Sequence, residues 1–121
     1  MLDLLAPLAV ALVGLAHVAF FVLESFLFRG PVGRRVFGLT EERAAVLAPM
    51  AFNQGWYNAF LAAGLAWSLV HPSPAEGRAL ATFFLSCVAV AGVVGGLSVG
   101  RAILLVQALP AGVALALVWA R

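Results

Sequence analysis

The sequence predicts an all-α fold, an integral membrane four-helix bundle running up-down-up-down, with a short interfacial helix between spans 1 and 2. Three observations lead there. Hydrophobic residues make up 64% of the 121 positions and charged residues only 10%, against about a quarter charged in a soluble domain. Mean hydropathy is +1.10. Four apolar runs, each near the roughly 20 residues that cross a hydrocarbon core, are separated by short polar breaks, and short connections make neighbouring helices antiparallel.

The length leaves room for one domain, residues 1–121. So apolar a chain is not disordered. Its formal charge of +2, confined to loops and ends, argues against a nucleic-acid partner. Cys87 is the single cysteine, so an intrachain disulfide is excluded.

The first run, Asp3–Phe28, is too long for the apolar core of a signal peptide and lacks a basic start, so it reads as a retained helix. The connection Arg29–Ala48 follows. Within it, Thr40 before Glu41 and Glu42 resembles a helix N-terminus, with acids at the positive end of the dipole. Pro49 should then interrupt that short interfacial helix and bend it into the second span, Pro49–Val70. Val36-Phe37-Gly38-Leu39, between arginines, suits the headgroup zone. His71–Gly77 connects to the third span, Arg78–Val99, and a tight turn at Gly100–Arg101 leads into the fourth, Arg101–Ala120.

Arginine placement sets the orientation. Arg29, Arg34, Arg35, Arg43 and Arg101 lie on one side and only Arg78 and Arg121 on the other. The positive-inside rule then predicts a multi-pass protein of the inner (plasma) membrane, both termini outside and loops 29–48 and 100–101 cytoplasmic.

The expensive residues sit inside these spans. Asn53, Gln54 and Asn58 are amides that hydrocarbon penalises unless partners are supplied. At about 100° per residue they fall, with Tyr57, within an arc of about 140°. Gly55, Ala59 and Ala63 form a small-residue face beside them, and Gly92, Gly96 and Gly100 a similar stripe on the third span. Either could serve a homo-oligomer. Trp56, Phe60 and Trp67 fill the remaining, lipid-facing sector of the second span.

The first span adds His17 and Glu24, on one face but about 10 Å apart along the axis, too far for direct contact. The fourth adds Gln107, three residues before Pro110. Counted from the membrane faces, these groups share the cytoplasmic half, which predicts one pocket walled by the amides, with His17 at its floor. Each has a plainer reading. The amides can glue helices, Gln107 can serve the Val106 carbonyl freed by Pro110, Glu24 can pair with Arg29, Arg34 or Arg35, and His17 can be a hydrogen-bonded core residue. His71 and Cys87 read as structural.

The pattern His17-x-x-Phe20-x-x-Leu23-Glu24, the string Asn53-Gln54-Gly55-x-Tyr57-Asn58-x-Phe60-Leu61-Ala62-Ala63-Gly64, and the runs Val36-Phe37-Gly38-Leu39, Ala91-Gly92 and Gln107-x-x-Pro110-Ala111 resemble a known family. It is the small bacterial and fungal membrane family numbered 1304 among domains of unknown function. The resemblance covers nearly the whole chain and implies a four-span protein of this length. Trp56, Ala59 and Val94 depart from the residues it leads one to expect.

A membrane site for a lipophilic small molecule is the first functional reading. His17, Glu24 and Tyr57 would be its catalytic groups, Asn53, Gln54, Asn58 and Gln107 its substrate-binding groups, and proton-transfer isomerisation or epimerisation the suited reaction. A small proton-coupled transporter resembling multidrug exporters is the alternative, and a structural membrane protein a third. No cofactor or metal is expected, because one deep histidine without ligand spacing does not make a centre.

Overall fold

A computed structural model describes all 121 residues. The chain is all-α, 88% helical and without strands. α1 spans Leu2–Val22 and passes directly into a π-helical turn, Leu23–Leu27. α2 is short, Pro31–Phe37; α3 is the longest, Glu41–Val70; α4 covers Pro74–Ser98. A second π turn, Leu104–Ala108, leads into α5, Leu109–Ala120.

Leu2–Leu27 and Pro74–Ser98 are long and apolar enough to cross a membrane, judged by length and composition, and Leu104–Ala120 is a shorter apolar helix. α3 has the length, but Asn53, Gln54 and Asn58 dilute its apolar character.

Two compact units are distinguishable. One contains residues 1–15 and 61–121, the other residues 16–60, and α1 and α3 contribute to both. In the first, the core is a set of stripes: Ala6, Val10 and Val13 from α1, Leu65 from α3, Ala81, Leu85 and Val88 from α4, and Ala111, Ala114 and Val118 from α5. Spacings of three and four residues line up one face of each helix. Glycines set the closeness of approach here. A Cβ at Gly92 would meet Ala108 and one at Gly96 would meet Leu104, so the stripe predicted on the third span packs within the chain, while Gly100 faces open space.

The second unit is a helical hairpin with its own core of Phe28, Ala44 and Ala51, backed by Leu39, Leu47 and Ala48. α2 begins at Pro31, the first-turn position that proline tolerates. It ends at Gly38, whose φ of 64° places it in the left-handed region, and the Leu39 N–H donates to the Arg34 carbonyl. Thr40 opens α3 as expected, its Oγ1 accepting the Arg43 N–H at 3.3 Å.

Two expectations need correction here. The short helix between the first two predicted spans lies at Pro31–Phe37, upstream of Thr40, and carries Val36 and Phe37 exposed. Pro49 does not break the helix that begins at Glu41, which runs on to Val70. A proline inside a helix removes one N–H and crowds one carbonyl, and α3 tolerates this at an exposed position.

Candidate functional site

The polar contacts of the hairpin unit centre on one crossing. At Gly55, α3 approaches the end of α1 so closely that a Cβ would fall on Ser25 Oγ and lie 3.2 Å from the Phe21 carbonyl oxygen. Asn58 stands one turn further along the same face of α3. Its Nδ2 donates to Glu24 Oε2 at 2.7 Å, a length typical of a strong side-chain hydrogen bond. Asn58 is only 5% exposed, whereas Glu24 is half-buried. Phe21 packs edge-on against Trp56, with ring centroids 5.0 Å apart, and closes the crossing on one side.

Glu24 lies within the π turn Leu23–Leu27. Such a turn inserts one extra residue into a helix and occurs often at functional sites. Residues five apart across it take up roughly the alignment that residues four apart have in an α-helix. Arg29 is thereby carried round towards the face of Glu24. Both line an open cavity of about 450 Å³, together with Ser25, Phe26, Phe28, Ala45, Ala48, Pro49 and Phe52. That volume falls within the range of about 300–1,000 Å³ typical of small-ligand sites.

The predicted site residues separate on this framework. Glu24 and Asn58 are brought together, and the partner anticipated for Glu24 among the arginines is replaced by the Asn58 amide. Half-buried Arg34 instead lies 3.7 Å from exposed Glu41, a pair joining α2 to the start of α3. Asn53, Gln54 and Tyr57 are exposed on α3, Tyr57 at 55% with its ring edge-on to Phe60. They do not line the cavity beside Glu24. The reason is helical: burial at Ala51, Gly55 and Asn58 fixes which face of α3 turns inward, and positions 53, 54 and 57 lie off that face.

His17 is 2% exposed, one turn from Phe20, whose ring it meets edge-on at 5.3 Å. It is a core residue outside the cavity wall. Gln107 belongs to the other unit and sits half-buried in the π turn Leu104–Ala108. Pro110, in the first turn of α5, has no N–H for the Val106 carbonyl.

Arg29 and Ser25 were not foreseen as site residues. Neither carries a sequence signal of its own, because their placement depends on the π turn and on the Gly55 crossing. His71, read as structural, forms part of the α3–α4 connection. Its Nδ1 accepts the Ser73 N–H at 3.2 Å and its Nε2 lies 3.2 Å from Glu76 Oε2. Both ring nitrogens are thus occupied. Cys87 is half-buried and free.

The fold and site define an all-α protein with apolar helices, in which a carboxyl–amide pair borders an open cavity. The chain belongs to the family described as Protein of unknown function (DUF1304), which matches residues 11–119. No curated protein and no solved structure matches it.

Proposed function

We propose that this chain is a four-span protein of the plasma membrane that binds a lipophilic small molecule in the cavity beside Glu24 and acts on it by proton transfer. The observation that carries this reading is the 2.7 Å hydrogen bond from Asn58 to Glu24 at the edge of that cavity. A carboxyl group is costly within an apolar helix and marks a functional site by default. Asn58 holds one of its oxygens and so fixes the carboxyl plane. The second oxygen is left for a ligand. Phe26, Phe28 and Phe52 offer an apolar body its contact surface.

A carboxylate so fixed suits isomerisation or epimerisation, in which a proton leaves one carbon for the Glu24 oxygen and returns to another carbon or another face. No electrons are lost or gained overall. In this reading the two strongly apolar helical stretches and the shorter Leu104–Ala120 span the bilayer with α3. The termini lie outside, and loops 29–48 and 100–101 lie in the cytoplasm.

The test is purification of the full chain in mild detergent, followed by mass spectrometry of what comes with it. A defined lipophile should accompany the native chain and be lost from Glu24→Gln. A preparation that carries none, and a Glu24→Gln variant with an identical lipid profile, would refute the reading.

A further inference from the structure

The wall of the hairpin cavity carries opposite charges that do not neutralise each other. Glu24 engages Asn58, and Arg29, exposed at the same wall, forms no ion pair. Ser25 adds a hydroxyl that donates weakly to the Phe52 carbonyl at 3.5 Å and keeps its lone pairs as acceptors. Pro49 adds an acceptor on the facing helix, because it offers no N–H to the carbonyl of Ala45, and both residues line the cavity. The polar side therefore presents acceptors beside Glu24 and a guanidinium at Arg29. The rest is apolar, made by phenylalanines and alanines, with Phe26 and Phe52 exposed at 64% and 47%.

Three ligand chemistries can be compared with this wall. A purely anionic headgroup would meet Arg29 favourably but lies against the Glu24 carboxyl. A quaternary ammonium has no N–H to give the Glu24 and Ala45 oxygens, and phenylalanine rings make a weaker cage for it than tryptophan. A primary ammonium joined to a phosphate complements both ends. Its N–H groups match the acceptors, and the phosphate matches an arginine fork.

We infer that the cavity takes the headgroup of a zwitterionic lipid bearing a primary ammonium and a phosphate, with the ammonium at Glu24 and Ser25 and the phosphate at Arg29. About 450 Å³ holds such a headgroup but not its acyl chains, which lie along the exposed Phe26 and Phe52. This inference rests on the cavity being a ligand site, as proposed above; a bound ammonium offers Glu24 no acidic carbon, so the headgroup is a ligand held there and not the substrate of the proton transfer.

The experiment titrates the purified full chain in detergent with short-chain phosphatidylethanolamine, phosphatidylcholine and phosphatidylglycerol, and with free O-phosphoethanolamine, read by native mass spectrometry. Phosphatidylethanolamine should bind best. Arg29→Gln, at an exposed position that does not endanger folding, should weaken it roughly tenfold, the scale of one charge-assisted contact, and Arg29→Lys should restore part of that. Glu24→Gln should abolish the preference over phosphatidylglycerol.

Equal or tighter binding of phosphatidylcholine or phosphatidylglycerol by the native chain would overturn the inference. So would free O-phosphoethanolamine binding as tightly as the lipid, since the acyl chains would then contribute nothing. If a neutral long-chain alcohol occupies the site in a Glu24-dependent way and phosphatidylethanolamine does not displace it, the headgroup assignment fails while the ligand site stands. If neither binds, both fall.

Discussion

Asn58 and Glu24, 34 residues apart in the chain, meet through a 2.7 Å hydrogen bond from the amide Nδ2 to the carboxyl Oε2. Two local features make that meeting possible. Gly55 lets α3 reach the backbone at Phe21 and Ser25, and the π turn Leu23–Leu27 presents Glu24 at the crossing. Asn58 is the one amide of its cluster that the fold buries.

Removing the donor should therefore matter more than removing a side chain of similar size elsewhere on α3. Asn58→Ala leaves a half-buried carboxyl without its partner, and the loss should be about 1–3 kcal/mol. The double variant Asn58→Leu with Glu24→Leu should recover most of it, because two apolar groups of similar shape satisfy each other. Thermal unfolding in detergent of the native chain, Asn58→Leu, Glu24→Leu and the double variant measures the coupling. Additive losses would show that the bond has no energetic role.

Asn53→Leu and Gln54→Leu provide the contrast. Both side chains are exposed, so neither substitution should cost more than about 0.5 kcal/mol in the same assay, and removal of an amide from an apolar layer should raise stability. A loss comparable to that of Asn58→Ala would place these amides in a contact the single chain does not make, and a second copy would then be the first candidate.

The Gly55 crossing can be tested through its tolerance of size. Gly55→Ala puts a Cβ on Ser25 Oγ and within 3.2 Å of the Phe21 carbonyl oxygen, so the helices must part by a few tenths of an ångström. Overpacking of this kind costs about 1–3 kcal/mol. Because the same shift draws Asn58 away from Glu24, Gly55→Ala should also reduce retention of whatever lipophile Glu24 holds. Gly64 gives a parallel case in the other unit, where a Cβ would fall in the Phe84 ring. Gly64→Ala should be destabilising, and Phe84→Leu should relieve part of that in the double variant.

Much of this was legible in the residues. The all-helical architecture follows from composition and spacing, and the cap at Thr40 follows from a hydroxyl ahead of two acids. Of the site, the sequence shows that Glu24 and Asn58 need partners, and the structure makes them each other's. The π turns were not legible. An inserted residue leaves no mark in an apolar run, and near Glu24 no proline or glycine announces it. Missing it also misplaces Arg29, whose angular position depends on the extra residue. The amide arc divides for a related reason: an arc of about 140° is wider than the face a helix buries at one crossing, so only its inner member meets Glu24. Pro49 misled in the opposite sense, since its exposed position lets α3 continue past a residue that reads as a break.

The proposed orientation in the membrane makes a separate prediction. Cys87 is the single cysteine, half-buried, so Cys87→Ser gives a background without thiols. In it, Gly38→Cys and Pro72→Cys place single thiols in the two connections on either side of α3. Gly38 is exposed and a Cβ there meets nothing within 4 Å, although its φ of 64° imposes some strain on any other residue. Pro72 is exposed in the loop before α4. If loop 29–48 is cytoplasmic, a membrane-impermeant maleimide applied to intact cells should label position 72 and leave position 38 unlabelled until the membrane is opened. The reverse pattern would invert the topology inferred from the arginines. Equal labelling of both sites in intact cells would mean that α3 does not cross the bilayer, and the four-span reading would fall with it.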